Sequence, residues 1–94
     1  QADEGAYITY SLENGAAPDQ IGIAWKKCAP NTEFEIQLSG GGGQFLTVYK
    51  GKADTADNTL KTYSFKGTKA SDARIVITKG HALISEVRIK GLKK

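Results

Sequence analysis

Residues 33–39 read Glu33-Phe34-Glu35-Ile36-Gln37-Leu38-Ser39, and the glycines Gly40 to Gly43 follow them. Phe34, Ile36 and Leu38 alternate with Glu33, Glu35, Gln37 and Ser39. Successive side chains of a strand point to opposite faces, so the pattern predicts a strand with one buried and one wet face. A helix would need its apolar positions three and four apart. The glycines then read as a hairpin tip, because Gln44-Phe45-Leu46 starts a returning strand. A phosphate-cradling glycine loop would need a helix, or a Lys-Ser/Thr pair, directly after it.

The same period of two recurs outward from this hairpin. Strands are predicted over 7–12, 20–26, 33–39, 44–50, 60–66, 73–78 and 83–90. Their inward faces should be Ile8, Tyr10 and Leu12; Ile21, Ile23 and Trp25; Phe34, Ile36 and Leu38; Leu46 and Val48; Tyr63 and Phe65; Ile75 and Ile77; Val87 and Ile89. Between the first two strands, Asn14-Gly15 accepts the positive φ of a tight turn. No window supports a helix of ordinary length. Short strands at this spacing, joined by glycine-rich turns, predict an all-β, antiparallel β-sandwich of the jelly-roll type with seven or eight strands.

The chain has 94 residues, 39% of them hydrophobic and 24% charged, which fits a single domain over residues 1–94 and is too apolar for disorder. No run approaches the roughly 20 apolar residues that span a bilayer, so no membrane insertion is expected. The chain begins at Gln1 and contains 0 methionines, which is expected of a processed product or a fragment, and points to a secreted chain.

Charge is unevenly placed. Residues 1–47 carry Lys26 and Lys27 against six carboxylates, a net of −4, whereas residues 48–94 carry 11 basic side chains against four acids, a net of +7. Nucleic acid is not the expected partner. The lysines fall singly between apolar residues, where they solvate outer strand faces, and there is no arginine cluster or zinc spacing. Cys28 is the single cysteine and cannot make a disulfide within the chain. Lys26 and Lys27 precede it at a strand end, so a reactive thiol and a homodimer joined Cys28 to Cys28 are expected, with a reduced, half-buried Cys28 in a monomer as the alternative.

If every connection reverses the chain, alternate connections lie at the same end of the sandwich. Residues 13–19, 40–43 and 67–72 should share one end. Residues 27–32, 51–59 and 79–82 should share the other, together with 1–6. The second end gathers Lys27, Cys28, Asn31, Asp54, Asp57, Asn58, Lys79 and His81. Chemistry, where there is any, belongs there.

The order of these segments resembles a known family. YITYSLENGAAPDQIGIAWKK (7–27) resembles the opening strands of discoidin-like domains, the coagulation-factor type C and galactose-binding-like modules. EFEIQLSGGGGQFLTVYKG (33–51) resembles their central hairpin, and DARIVITKGHALISEVRIKG (72–91) their closing pair, with Glu86 at the glutamate of that motif. The nearest likeness is to the carbohydrate-binding modules of polysaccharide lyases and other glycan enzymes, and to small free-standing lectins such as those of algae. Full members are longer, and they carry polar groups before the first matched strand that help hold a structural calcium. Those groups are missing, Tyr7 stands for the usual Trp, and Ser11 for the usual Asp. No metal and no cofactor is therefore expected. The resemblance implies a non-catalytic lectin for galactose-type sugars.

Enzyme chemistry finds little to work with. Asp54 and Asp57 share one loop, without a pocket to raise either pKa as glycoside hydrolysis requires. His81 and Cys28 lie at one end, but no third group completes a nucleophilic site. Sugar binding needs less: a ring face for the apolar side of a pyranose, and a few fixed donors and acceptors. Trp25 closes its strand at the second end, and Lys26, Asn31, Asp54, Asn58 and His81 can reach hydroxyls there. Trp25 has an alternative place, since it shares the parity of Ile21 and Ile23 and so points into the core. The competing function is a structural or adhesion domain that binds a protein or an acidic polysaccharide through the basic half.

Overall fold

The structure, a computed structural model, describes residues 2–3 (backbone), 5–12, 16–40, 44–53 and 58–90. Among these residues are eight strands: β1 (Ala2–Asp3), β2 (Tyr7–Ser11), β3 (Gln20–Cys28), β4 (Thr32–Ser39), β5 (Phe45–Ala53), β6 (Leu60–Ser64), β7 (Asp72–Lys79) and β8 (His81–Lys90). They form two four-stranded sheets, ordered β1-β8-β3-β6 and β2-β7-β4-β5, and every pairing is antiparallel. All seven expected strands are there, and the fold is the jelly-roll sandwich that the alternation predicts. The tips at 13–15 and 41–43 lie outside the described residues, although Ser39 pairs with Phe45 across the second as a hairpin requires.

The core lies between the sheets. Ile21, Ile23 and Trp25 face Phe34, Ile36, Leu38, Ile75 and Ile77, and all are buried. Tyr10, Leu12, Val48, Tyr63, Phe65, Val87 and Ile89 are half-buried against this cluster. Two expected core positions are corrected. Ile8 is 39% exposed and Leu46 is 73% exposed. Ile8 pairs with Ile75 and Leu46 with Leu38, so both keep the inward register, but β2 and β5 are the edges of their sheet and little covers them. Strand β3 differs from the amphipathic pattern because it is buried on both faces from Ile21 to Trp25. Gly22 permits this: a Cβ there would stand 3.0 Å from Leu60 Cγ, which packs over the strand.

The loops gather at two ends, as the alternation of strands requires. At one end Leu12 N–H donates to Ser71 O (2.8 Å), Phe65 N–H to Asp19 O (2.9 Å) and Ala70 N–H to Ala16 O (3.0 Å). At the other, Ala29 N–H donates to His81 O (3.0 Å) and Asn58 N–H to Trp25 O (3.0 Å).

The outer face of the β2-β7-β4-β5 sheet carries a polar network. Thr47 Oγ1–H donates to Glu35 Oε1 at 2.7 Å, and Gln37 Nε2–H donates to the same oxygen at 3.1 Å. These two bonds, with help from Lys50, hold the Glu35 carboxyl below its ordinary pKa. The network therefore adds stability above the usual carboxylate range and loses it as pH falls through the lowered pKa of Glu35. Thr47→Val should move that pKa back towards the ordinary value and so flatten the acid limb of the stability curve. An NMR titration of the Glu35 carboxyl reads this directly, and an unmoved pKa would remove Thr47 as its cause.

Candidate functional site

The second end is built around the entry to β4. Thr32 N–H donates to Ala29 O at 3.2 Å, closing a turn with Pro30 and Asn31 at its centre, and Asn31 has φ 64°. Proline followed by a residue of positive φ is the chemistry of a type II turn, and asparagine tolerates that position. Thr32 is fully buried, and its Oγ1–H lies 2.7 Å from Ala29 O and 3.0 Å from His81 O. One hydroxyl thus ties the β3–β4 turn to the first residue of β8. Gly80 alone joins β7 to β8, at φ 80°.

Trp25 pairs with Ile84 and Lys27 with Leu83, so Lys26 has no partner across β8 and forms a β-bulge. Strict alternation would turn Lys27 inward behind Ile21, Ile23 and Trp25. The extra residue reverses the parity instead. Lys26 and Lys27 are both exposed, and Cys28 turns towards the core. Burying an unpaired ammonium would cost far more than one disrupted ladder bond, which is why the strand breaks register here.

Lys26, Lys27, Cys28, Ala29, His81, Ala82 and Leu83 line a cleft of about 280 Å³. Its walls are the paired ends of β3 and β8, with Cys28 opposite Ala82 and Lys27 opposite Leu83. Two ammonium groups and an imidazole surround a floor of short apolar side chains. No carboxylate lines it, and the described residues include no group of three or more His, Cys, Asp or Glu side chains fit to hold a metal ion.

Of the residues expected to bind sugar, Lys26 and His81 meet in this cleft. Asn31 is exposed at the adjoining turn but does not line it. Asn58, at φ 63°, is occupied elsewhere: its N–H bonds Trp25 O, and its Oδ1 accepts Ser85 Oγ–H at 2.8 Å. Asp54 lies outside the described residues. Trp25 is a correction. It is 1% exposed, its ring centroid is 5.1 Å from that of Phe34, and its Nε1–H donates to Tyr63 Oη at 3.0 Å. Its ring is enclosed between the sheets and offers no face to a ligand. Beyond the bulge Cys28 is half-buried against the core. Lys27 was placed at this end but not among the sugar contacts, and Ala82 and Leu83 were missed. The signal for Lys27 was present, since two successive lysines ending a buried strand require a bulge.

No family model and no curated protein matches the chain. Solved structures do. The carbohydrate-binding module CBM32 of AlyQ, in complex with 4,5-unsaturated mannuronic acid, is 28% identical at a TM-score of 0.80, over 96% of this chain and 74% of that one. A truncated AlyQ with CBM32 and alginate lyase domains is 27% identical at a TM-score of 0.81, over 100% of this chain and 26% of that one. CpGH89CBM32-5 from Clostridium perfringens, in complex with GalNAc-beta-1,3-galactose, is 23% identical at a TM-score of 0.76, over 93% of this chain and 66% of that one. The structural neighbours are thus CBM32 carbohydrate-binding modules, which have discoidin-like, galactose-binding-like folds. They are modules of enzymes, and the binding module is not the catalytic part.

Proposed function

We propose that this chain is a non-catalytic carbohydrate-binding module that holds an acidic saccharide, a uronate or short oligouronate, in the cleft of Lys26, Lys27, His81 and Leu83. The observation that carries the reading is the cleft's lining: two lysines and a histidine over Ala29, Ala82 and Leu83, with no carboxylate among them. A sugar carboxylate would meet the ammonium groups, and the apolar side of the ring would rest on Leu83 and the alanines. One structural neighbour binds 4,5-unsaturated mannuronic acid, which has this chemistry. The galactose-type preference that the resemblance implies has less in its favour here, because galactose brings no charge to meet the lysines. Asn31 serves as an outer contact for a longer ligand. Polysaccharides of this kind lie outside the cell, and so does the module in this reading.

The test is a calorimetric titration with a mannuronate trisaccharide and, separately, with galactose. Affinity for the trisaccharide should be weak, because a small ligand in a shallow cleft offers few atoms. Lys27→Gln and His81→Ala should each weaken it by about tenfold, within the range for a lost charged contact. Neither should change the melting temperature much, since both side chains are exposed. Saturable galactose binding that the same two variants abolish would return the specificity to galactose-type sugars. Unchanged trisaccharide affinity in both variants would remove the site from this cleft.

A further inference from the structure

A second hollow lies on the outer face of the β2-β7-β4-β5 sheet, towards the same end as the cleft. It measures about 680 Å³ and runs across β5, β4 and β7. In register, Lys79 and Lys52 stand on either side of Glu33, and Lys50 stands beside Glu35. A second bulge produces this arrangement. Glu33 pairs with Lys79 while Phe34 pairs with Ile77, so Thr78 is the extra residue, and Thr78 and Lys79 are both exposed. As at Lys26, a bulge turns a lysine to the surface that strict alternation would have placed inside.

No close ion pair among the described residues holds these lysines, although the charge of Lys50 acts on Glu35. Among the described residues the close ion pair is Arg88 with Glu86, on the other sheet. Glu35 is already satisfied by Thr47 and Gln37. Beyond Glu35 the face continues to a further cation. Arg74 Nε–H and Nη2–H donate to Gln37 Oε1 at 3.0 and 2.8 Å. Its guanidinium carbon lies 3.8 Å from the ring centroid of Phe45 and 4.8 Å from that of Tyr7, so the two rings hold it in place. The face thus presents Lys50 and Lys52 on β5 and Lys79 and Arg74 on β7, with Glu33 and Glu35 of β4 between them and Asp72 two residues from Arg74. This is where a large part of the basic half of the sequence becomes a surface.

We infer that this sheet face is a second binding surface, separate from the cleft, and that its occupant is an acidic polysaccharide chain lying across β5, β4 and β7. Complementarity of charge is the argument. A polyuronate carries one carboxylate per sugar, and lysines at i and i+2 on one strand stand about 7 Å apart, a spacing that successive sugars can follow. A single-stranded nucleic acid would also meet the cations, but it gains its sequence-tolerant affinity from bases stacked on open rings. Arg74 takes one face of each ring here. The inference is independent of the cleft, because the two surfaces share no residue.

The experiment compares a polymannuronate chain with the mannuronate trisaccharide, on the intact chain and on two sets of variants. The triple variant Lys50→Gln/Lys52→Gln/Lys79→Gln should weaken polymer binding by about tenfold, the sum expected for three exposed charged contacts. It should leave trisaccharide affinity and melting temperature as they are. Lys27→Gln should weaken the trisaccharide and retain salt-sensitive polymer binding. Added salt should weaken the polymer complex of the unaltered protein more than that of the triple variant. Wild-type polymer affinity in the triple variant would overturn the inference, and so would equally tight binding of a charge-matched single-stranded DNA. Loss in the triple variant, with no effect at Lys27 or His81, would sustain this surface while removing the cleft reading.

Discussion

Trp25→Ala should unfold much of the protein. Emptying a large buried aromatic site costs about 3–5 kcal/mol, and the whole stability of a small domain is on the order of 5–15 kcal/mol. Trp25 is 1% exposed and stands between the sheets, in an aromatic cluster with Phe34, Tyr49 and Tyr63. Its loss would leave Phe34 without its ring neighbour and the Tyr63 hydroxyl without the indole donor. Trp25→Phe separates the two contributions. It keeps most of the ring volume and forfeits the Nε1–H bond, which should cost about 1–2 kcal/mol from the bond and the reduced filling. Urea denaturation of the two variants measures both. A Trp25→Ala protein with unchanged stability and abolished saccharide binding would contradict the burial and make the ring a surface platform after all.

That residue also shows what the sequence could and could not tell. Parity with Ile21 and Ile23 placed Trp25 inside, and the structure agrees, because alternation holds along β3 up to the bulge. The hope of a stacking platform came from its place at the end of the strand. Position along a strand says nothing about which way a side chain faces. The seven longer strands were legible, since each has at least one face that the core must bury, whereas the two-residue β1 is too short to show a period. Ile8 and Leu46 were misjudged for a different reason: alternation gives the face of a residue, while its burial depends on whether another strand lies across from it. The end of the sandwich was also legible, because antiparallel connection alone fixes which loops meet. The cleft within that end was not. It is shaped by the bulge at Lys26 and by the single-residue crossing at Gly80, and a bulge shows in sequence only as a conflict between parity and charge. Lys26-Lys27 and Thr78-Lys79 both carry that conflict, and at both the structure resolves it by bringing lysines to the surface.

Gly80→Ala should be costly for both stability and binding. Gly80 has φ 80°, which L side chains adopt only with strain, and an added Cβ would stand 2.6 Å from Thr32 Oγ1 and 3.0 Å from Thr32 Cα. The hydroxyl can rotate away, but the backbone carbon cannot yield without moving β4. Strain and crowding together should cost about 2–4 kcal/mol. The consequence for function follows from what Thr32 does. Displaced, its hydroxyl no longer bridges Ala29 O and His81 O, so the turn that carries one wall of the cleft separates from the strand that carries the other. Saccharide affinity should then fall even under conditions where the variant remains folded. Gly80→Asn distinguishes the two causes. Asparagine tolerates positive φ but carries the same Cβ, so crowding predicts a loss close to that of alanine, whereas a dominant backbone strain predicts a partial recovery. Thr32→Ser, which keeps the hydroxyl at the buried position, should retain the bridge and most of the affinity. Thermal unfolding and trisaccharide titration of the three variants decide the matter: a Gly80→Ala protein that melts and binds as the unaltered chain does would mean that this crossing does not hold the cleft together.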